Sequence, residues 1–409
     1  MPKVLVTGGC GYIGSHTLVE LLVAGHEPVS IDDNSRSSES ILDGVERITG
    51  RRVRNHRVDL RDSSRTDAVF AEHRDAIAVI HFAAFKTVPE SVARPLIYYD
   101  NNINSLLNVL ACTEKYRIPN FIFSSSCSVY GNATQLPVTE DTPFGEPECP
   151  YARTKQMGEH IIQDFAKTSE TRFVSLRYFN PVGAHPSGEI GEVPYGEPDN
   201  LVPRITRAAA SNLNLSLGLN PLVVHGNDYD TRDGTCIRDY IHVSDIARAH
   251  VLAIEYMRKT EDGGRETGKP VNRDRNSPPR HEVAEAGTKS EARDQNAECR
   301  STDTANCELE TGNSRRSRVG LGGFVQTFNL GSGTGTTVLE AIAAFERATG
   351  RKLDYRIGAR RAGDAVAVYA DNHKAEAVLS WRPEFGIDEM MRTAWEWEQA
   401  GAGRGKGKG

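Results

Sequence analysis

The sequence predicts an α/β protein built on a doubly wound parallel sheet, followed by a smaller C-terminal α/β domain. In the first half of the 409-residue chain, short apolar runs alternate with amphipathic segments that place Leu, Val, Ile and Ala at helical spacing. Such alternation is typical of a parallel sheet with helices on both faces. From about residue 180 the pattern loosens into Pro- and Gly-rich loops and shorter elements, as expected of a second domain over the sheet edge.

The individual elements follow from these runs. Six apolar runs predict strands at residues 3–8, 28–32, 53–60, 78–83, 121–126 and 172–179. Four amphipathic segments predict helices at residues 12–24, 63–73, 97–115 and 151–168. We therefore assign residues 1–180 to the first domain, and residues 181–257 together with 324–400 to the second.

One segment between the two parts of the second domain breaks the pattern. Residues 258–323 contain no Phe, Tyr, Trp or Ile and are crowded with charged and small polar side chains. Too little apolar surface is present to offset the entropy of ordering, so we predict a disordered polar insertion. Its charges are mixed, which favours a solvated linker over a docking site. We also predict a flexible tail at residues 401–409.

Composition narrows the classes of partner. A formal net charge of -6 offers no basic face for nucleic acid or an anionic membrane. The seven cysteines are widely spaced without a C-x-x-C pair, so we predict neither a disulfide framework nor a metal site. The N-terminus resembles no signal or transit peptide, and no apolar run approaches membrane-spanning length. We expect a soluble, cytoplasmic protein that binds small molecules.

The stretch "VLVTGGCGYIGSH", residues 4–16, predicts a nucleotide site. It places Gly8, Gly11 and Gly14 between a strand and a helix, with Tyr12 and Ile13 inside the turn. Glycines let the turn bend tightly and let backbone N–H groups approach a pyrophosphate, while the helix N-terminus supplies partial positive charge. A glycine-rich turn alone is weak evidence, because many such turns are purely structural.

Acidic residues strengthen the prediction of a Rossmann-type dinucleotide site. Asp32 and Asp33 end the next apolar run, eighteen and nineteen residues beyond Gly14, where a carboxylate can bind the adenosine ribose diol. A carboxylate there repels a 2′-phosphate, so NAD is favoured over NADP. Asp59 ends the third run, where it can reach the adenine edge or cap the following helix, and the sequence leaves both roles open.

The stretch "YARTK" predicts a chemical site. Tyr151 and Lys155 share one helix face, with Cβ atoms about 5–6 Å apart. A tyrosine that acts as a base at neutral pH needs its pKa lowered by roughly 3 from about 10, which corresponds to about 4 kcal/mol. One cation about 6 Å away supplies roughly 2.8 kcal/mol at an effective dielectric of about 20. The pair therefore makes chemical sense beside a second positive charge, such as oxidised nicotinamide.

Several motifs together resemble the UDP-glucose 4-epimerases, a family of the extended short-chain dehydrogenase/reductase superfamily. The motifs are "TGGCGYIGSH", "SSSCSVYG", "YARTK", "RYFNPVGAHPSGEIGE", "GNDYDTRDGTCIRDYIHVSDIA" and "RRAGD". The resemblance covers the chain outside the insertion and the tail. It implies resident NAD, a transient 4-keto sugar, no metal, a homodimer and a place in galactose metabolism.

The resemblance also implies roles for individual residues. Tyr151 is the base, Lys155 lowers its pKa and binds the nicotinamide ribose, and Ser126 hydrogen-bonds the sugar 4-oxygen. Further cofactor contacts are implied for Phe82, Lys86, Asn101 and Tyr178. Substrate contacts are implied for Asn180, Asn200, Arg238 and Arg361, with Asp364 at the ribose of UDP. Arg side chains suit this task because their forked donors match a diphosphate.

Two positions depart from the family pattern. Val368 stands where a bulky side chain narrows the pocket near the sugar 2-substituent, which predicts room for an N-acetyl group and activity on UDP-GlcNAc and UDP-GalNAc. His225 stands where an aromatic side chain normally lines the uracil, in a run that is longer than usual. This histidine either stacks on the base or only fills space.

Three alternative functions share parts of this sequence pattern. A sugar-nucleotide 4,6-dehydratase needs an acid beside the catalytic Ser or Thr, whereas Cys127 and Ser128 follow Ser126 here. A UDP-xylose/UDP-arabinose 4-epimerase shares the same motifs and stays open. A non-catalytic NAD-binding regulator is disfavoured, because such proteins characteristically lose the Tyr and Lys that this chain keeps.

Overall fold

The computed structural model describes residues 1–213, 222–263, 323–361 and 365–403. The strands are β1 (Lys3–Thr7), β2 (Glu27–Ile31), β3 (Asn55–His56), β4 (Ala78–His81), β5 (Asn120–Ser126), β6 (Arg172–Tyr178), β7 (Asn180–Val182), β8 (Leu222–His225), β9 (Ile237–His242), β10 (Val325–Leu330), β11 (Gly335–Thr337), β12 (Tyr355–Gly358) and β13 (Ala367–Val368). The α-helices are α1 (Tyr12–Val23), α2 (Ile41–Thr49), α3 (Ser63–Glu72), α4 (Val88–Ala93), α5 (Pro95–Lys115), α6 (Pro150–Ala166), α7 (Leu201–Leu213), α8 (Val243–Gly263), α9 (Val338–Thr349), α10 (His373–Leu379) and α11 (Ile387–Gly403). A short 3₁₀ helix follows β5 at Cys127–Tyr130.

Seven strands form one parallel sheet in the order β10-β6-β5-β4-β1-β2-β3. Strands β1, β2 and β3 follow one another toward one edge of the sheet, whereas β4, β5 and β6 follow one another toward the other edge. The loops after β1 and β4 therefore leave the sheet in opposite directions, with a crevice between them. Ligands of such sheets bind in the crevice outside the carboxyl ends of the strands. The predicted doubly wound parallel sheet is confirmed.

Side chains that alternate along β1 enter two apolar cores. Val4 and Val6 pack with Leu18 of α1 and Ile254 of α8 on one face of the sheet. Leu5 packs on the other face, in the cluster that contains side chains of α3, α5 and α6. The buried parallel strands are therefore apolar on both faces, which explains why they appear as continuous apolar runs in the sequence.

Strand β3 is much shorter than the predicted run of residues 53–60. Only Asn55 and His56 pair, with Ser30 and Ile31 of β2. The strand lies at the sheet edge, and the charged residues Arg54 and Arg57 flank it. An edge strand has a partner on one side only, so such a short ladder completes the sheet here.

The observed elements depart from the ranges drawn from the sequence at β10, at the end of α8 and at the end of α11, which runs to Gly403 inside the predicted tail. Strand β10 falls in the range assigned to the second domain, yet it pairs with β6 and buries Phe328 and Leu330 in the core of the large sheet. Helix α8 continues beyond the buried Met257 through residues 258–263, which were predicted to be disordered. The rest of the predicted insertion, residues 264–322, lies outside the described residues, as do residues 404–409 of the predicted tail.

Smaller sheets follow the large one. Strand β9 pairs in parallel with β7 and β13 and antiparallel with β11, while β8 and β12 form a parallel pair. Side chains of α7, α9 and α11 bury an apolar cluster against β8 and β9. Over the ranges that the structure describes, no helix is both long and apolar enough to cross a membrane.

The carboxylate of Asp239, in the middle of β9, holds the chain where it leaves β10. It accepts hydrogen bonds from the backbone N–H groups of Ser332, Gly333 and Ala370, at 2.7, 3.2 and 3.0 Å, and from the hydroxyl of Ser332 at 2.7 Å. Asp239 is fully buried, and burial raises the pKa of its carboxyl group. These four bonds tie β9 to the segments before β11 and after β13.

Replacing this carboxylate should destabilise the protein strongly. Asp239→Ala leaves several buried N–H groups without an acceptor, each costing about 1–3 kcal/mol, so we expect a loss of about 3 kcal/mol or more in urea unfolding. The matched control is Asp388→Ala, which removes an exposed carboxylate paired with Arg347. Equal stability of the two variants would contradict the anchoring role of Asp239.

A second buried network lies between α6 and β6. Glu159 receives two hydrogen bonds from the Arg177 guanidinium, at 2.9 and 2.7 Å, and one from the Ser125 hydroxyl at 2.5 Å. Arg177 also donates to the Tyr130 hydroxyl at 2.8 Å, and that hydroxyl donates to Asn329 of β10 at 2.6 Å. The side chains of Glu159 and Arg177 are only 2% and 5% exposed, so their charges depend on each other.

Breaking this ion pair should therefore cost far more than breaking a surface pair. Glu159→Gln leaves the buried guanidinium without its counter-charge, and we expect a loss of about 3–5 kcal/mol in the free energy of unfolding. Glu146→Gln is the control, because Glu146 is 86% exposed and pairs with Arg153 at the surface. A Glu159→Gln variant as stable as this control would show that Ser125 and Tyr130 suffice to hold Arg177.

Candidate active site

The glycine-rich turn leads directly from β1 into α1. Gly8 has φ +72°, and a Cβ atom there would lie 2.9 Å from the backbone nitrogen of Ala83, in the chain that follows β4. A Cβ atom on Gly14 would lie 2.2 Å from the carbonyl oxygen of Gly8. Gly11 is the N-cap of α1 and offers no side-chain acceptor to the helix start. The protein's own backbone thus leaves no room for a side chain at Gly8 or Gly14, as the tight turn of a dinucleotide site requires.

The other two residues of the turn are anchored. The Tyr12 hydroxyl donates to the carbonyl oxygen of Gly183 at 2.6 Å, which ties α1 to the segment after β7. Ile13 packs against the core of the sheet.

Asp32 links this turn to the loop after β2. Its carboxylate accepts the backbone N–H groups of Cys10 and Asn34, at 3.0 and 2.9 Å, and the Ser37 hydroxyl at 2.8 Å. Burial raises the pKa of Asp32, while these hydrogen bonds oppose the rise. The neighbouring Asp33 accepts two hydrogen bonds from Ser35. Asp32 therefore contacts the glycine turn directly, and Asp33 lies next to it in the loop after β2.

Asp59 does not cap the helix that follows it. The N-cap of α3 is Asp62, whose side chain accepts the N–H group of Arg65, so the capping alternative for Asp59 is wrong. The Arg61 guanidinium instead donates hydrogen bonds to the Asp59 carboxylate, the shortest at 2.7 Å. It also donates to the Asp100 carboxylate. This pairing lowers the pKa of Asp59 and keeps it charged.

Tyr151 and Lys155 meet the end of β5. The Lys155 ammonium is buried, lies 5.8 Å from the centre of the Tyr151 ring and donates to the Ser124 carbonyl oxygen at 2.6 Å. The Ser126 side chain is close enough to the Tyr151 hydroxyl to lower its pKa. The same Ser126 hydroxyl oxygen accepts the N–H of Ser128 at 3.2 Å, which orients it at the start of the 3₁₀ helix. The structure therefore brings the predicted base, cation and serine together.

Burial opposes the charged forms of both Tyr151 and Lys155. It raises the pKa of the Tyr151 hydroxyl well above its ordinary value, although the nearby Ser126 side chain acts in the opposite direction. It lowers the pKa of Lys155 to about 8, an effect that the nearby Glu159 carboxylate partly offsets. The ammonium therefore stays mostly protonated at neutral pH, but Tyr151 remains a phenol until further positive charge arrives.

Each of the remaining predicted cofactor residues contacts another side chain of the protein. Phe82, directly after β4, lies 4.7 Å from the ring of His250, which also bonds the Tyr178 hydroxyl at 2.7 Å. Lys86 pairs with Glu192 at 3.0 Å. Asn101 donates to the side chain of its neighbour Asn102 at 3.0 Å.

Sequence reasoning missed Asn102, which organises this region. Its side chain is buried, accepts the N–H of Phe85 at 2.8 Å and donates to the Phe85 carbonyl oxygen at 3.0 Å. It also donates to the hydroxyl of Thr154, which sits between Tyr151 and Lys155 on α6, at 3.1 Å. The only sequence signal was a polar residue on the buried face of a helical pattern.

A cavity of about 150 Å³ lies among the smaller sheets. Five of the residues that line it were singled out in the sequence, namely Asn180, Asn200, His225, Arg238 and Arg361. Asn180 donates to the Asp239 carbonyl oxygen at 2.9 Å, and Arg238 donates to the Ala365 carbonyl oxygen at 2.8 Å. The predicted arginines thus converge on one cavity, with the amide of Asn180 at its wall.

The structure also describes the surroundings of His225 and Val368. A ring nitrogen of His225 lies 3.3 Å from the carbonyl oxygen of Ala359. Val368 pairs with Arg238 in the ladder of β13 and β9 and is buried with Val129 and Phe179. Asp364 lies outside the described residues.

The chain is similar to known proteins over nearly its whole length. Residues 4–265 match the NAD dependent epimerase/dehydratase family. UDP-glucose 4-epimerase of Bacillus subtilis is 40% identical over 393 residues, which cover 96% of this chain and 95% of the relative. UDP-glucose 4-epimerase 2 of Oryza sativa is 40% identical over 397 residues, which cover 96% of this chain and 80% of the relative.

Solved structures show the same relationship. The UDP-glucose 4-epimerase of Stenotrophomonas maltophila, with bound NAD and formylated UDP-arabinopyranose, is 36% identical, covers 99% of this chain and 100% of its own, and has a TM-score of 0.80. The enzyme of Bifidobacterium longum, in complex with NAD+ and UDP, is 38% identical, with coverage of 98% and 99% and a TM-score of 0.77. The chain therefore belongs to the NAD-dependent epimerase/dehydratase family and, within it, to the UDP-glucose 4-epimerases.

Proposed function

We propose that this protein interconverts UDP-galactose and UDP-glucose through a transient 4-keto sugar, with Tyr151 as the base. The observation that carries the proposal is the approach of Tyr151, Lys155 and Ser126 at the end of β5. A cavity lined by Arg238 and Arg361 in the second half of the chain suits a nucleoside diphosphate.

The residues around the glycine turn fit NAD. We assign Gly8, Gly11 and Gly14 to its pyrophosphate and Asp32 with Asp33 to its adenosine ribose, because the turn leaves no room for side chains and the acids flank it. Asp59 is assigned to the adenine edge. Tyr12 and Ile13 belong to the same turn as the glycines and are assigned to the cofactor with them. The nicotinamide end is assigned to Tyr151, Lys155 and Tyr178, and further cofactor contacts are assigned to Phe82, Lys86 and Asn101. Bound NAD supplies a hydride acceptor for the sugar C4 and, when oxidised, a positive charge near Tyr151.

Proton transfer depends on this chain's own side chains. Tyr151 removes the proton of the sugar 4-hydroxyl and returns it later, while Ser126 hydrogen-bonds the 4-oxygen. Lys155 stabilises the phenolate, but burial raises the pKa of Tyr151, so the lysine must act together with the oxidised cofactor. The strength of the base therefore follows the charge of the cofactor.

The uridine diphosphate is assigned to the cavity between the smaller sheets. Arg238 and Arg361 bind the diphosphate, Asn200 contacts the nucleotide and Asn180 lies beside the sugar. Asp364 is assigned to the ribose. His225 at the cavity wall is placed to stack on the uracil ring.

We also propose a homodimer and a cytoplasmic location. Apolar side chains on α4, α5 and α6 are exposed, namely Val88, Val92, Leu96, Leu107 and Met157. Such a patch is typical of a protein interface, because helices α4 and α5 both pack beside α6 and can form one continuous surface. The described cysteines are all free thiols, which agrees with a reducing compartment.

Substitution of the base tests the mechanism. In Tyr151→Phe, epimerisation of UDP-galactose should fall by about 10²–10⁴-fold while bound NAD remains, because only the proton acceptor is lost. Rates are measured without added NAD, and bound NAD is quantified after denaturation. Tyr116→Phe is the control. It removes a hydroxyl group at the end of α5 that donates to the Asp67 carboxylate of α3. An unchanged rate in Tyr151→Phe would remove the assignment.

The side chain at position 368 tests the range of substrates. We expect the wild type to epimerise UDP-GlcNAc as well as UDP-galactose, and Val368→Tyr to lose the N-acetyl activity selectively because a bulky ring narrows the pocket. Val368→Ala, which leaves more room, should keep both activities. Absence of UDP-GlcNAc turnover at enzyme levels that convert UDP-galactose would disprove the prediction. UDP-xylose is assayed in parallel, and a preference for it would favour the pentose epimerase.

A further inference from the structure

Two imidazoles and a carboxylate converge at the edge of the large sheet. His56 lies on β3, Glu72 is the last residue of α3, and His73 follows it. The Nε2 atoms of the two histidines are 2.8 Å apart, and their rings meet edge to face. A carboxylate oxygen of Glu72 lies 4.0 Å from Nε2 of His73, and all three ligand atoms lie within 4.8 Å of one another.

The hydrogen bond between the two imidazoles shows that at least one ring is neutral, the form that binds metals. The Nε2 atom that accepts this bond has a free lone pair, because a protonated nitrogen cannot accept. The two Nε2 atoms point at each other, and the donor ring must carry its proton on Nδ1 instead before both Nε2 atoms can bind one cation. In a tetrahedral zinc site with bonds of about 2.0–2.1 Å, two ligand atoms would be roughly 3.3 Å apart. The two nitrogens must therefore separate by about 0.5 Å, and the Glu72 oxygen, now 4.0 Å from Nε2 of His73, must move closer.

The charges that face the cluster permit this exchange. Arg54 pairs with Glu72 at 2.5 Å, but both side chains are largely exposed, and such surface pairs contribute little to stability. Lys3 and Asp75 also face His73, and these two residues neutralise each other at 2.8 Å. Glu72 can therefore turn from Arg54 to a cation without uncovering a buried charge.

We propose that His56, Glu72 and His73 form a site for a divalent transition-metal ion, with Zn²⁺ as the best match. Two nitrogen ligands and one carboxylate suit zinc and its neighbours in the transition series, whereas Mg²⁺ and Ca²⁺ prefer oxygen ligands. The fourth position is open to water. The site shares no residue with the proposed catalytic set, so its existence does not depend on the epimerase assignment.

The ion would lie near Asp32, which is assigned to the cofactor. The backbone carbonyl of His56 accepts the N–H of Asp32 at 3.1 Å. A metal that ties β3 to the end of α3 therefore secures the short edge strand beside this acid. Its expected effect is a higher thermal midpoint, because an ion that binds the folded chain alone stabilises it.

The test is a titration of the full, tag-free protein with Zn²⁺ against a chromophoric chelator. We expect one equivalent per chain. His56→Gln should bind at least about tenfold more weakly, because even loss of an outer partner of a metal ligand costs 10–100-fold. Glu72→Gln, at an exposed position where misfolding is not a concern, should also weaken binding. His373→Ala is the control, since it removes an exposed imidazole far along the chain and should bind like the wild type.

Two further measurements make the outcome decisive. Zn²⁺ should raise the thermal midpoint of the wild type and of His373→Ala but not of His56→Gln. Co²⁺ in place of Zn²⁺ should give visible bands of nitrogen and oxygen ligands without the near-ultraviolet band of a cobalt thiolate. No binding to the wild type, equal binding to His56→Gln, or a thiolate band that assigns the ion to cysteines would each overturn the proposal.

Discussion

A single buried carboxylate holds the chemical centre together. Glu159 lies between the Arg177 guanidinium, which it binds through both oxygens, and the Lys155 ammonium one helical turn away. Two buried cations without this anion would repel each other in a medium of low dielectric. Glu159 is on α6, as is Lys155, and Arg177 is on β6. The ion pair of Glu159 with Arg177 therefore sets the distance between this helix and the sheet. The positions of Tyr151 and Ser126 follow from that distance.

The consequence for chemistry is a centre whose charges are balanced without the phenolate. Lys155 and Arg177 face one Glu159, so a single positive charge remains in the buried cluster. Burial raises the pKa of Tyr151, so this remaining charge alone leaves the phenol protonated. In the mechanism proposed above, the oxidised cofactor supplies the further positive charge that favours its ionisation.

The sequence predicted features that depend on local spacing. The glycine turn, Asp32, and the Tyr151 and Lys155 pair were found because each is a short pattern attached to a strand or a helix start. Glu159 also lies on the helical stripe of Tyr151 and Lys155, but its role depends on Arg177 of a neighbouring strand, which spacing along one helix does not reveal. Asp59 could not be decided because the choice depended on which of two nearby acids, Asp59 or Asp62, caps α3.

Long-range features were the hardest to predict. Strand β10 has the apolar pattern of any buried strand, and nothing in its own residues says whether it joins the large sheet or a smaller one. Its place beside β6 depends on which sheet has a free edge for it, and that is decided by residues far away in the chain. The convergence of Arg238 and Arg361 was correctly inferred only because the resemblance linked two motifs far apart in the chain.

The late return of β10 has a consequence for synthesis of the protein. Six strands of the large sheet are complete once residue 178 has left the ribosome, whereas their seventh neighbour comes almost 150 residues later. During that interval β6 presents an open edge of unpaired backbone groups, flanked by apolar side chains that Phe328 and Leu330 later cover. A nascent chain stalled in this interval is consequently the species most exposed to aggregation, and the one that chaperones have most reason to hold.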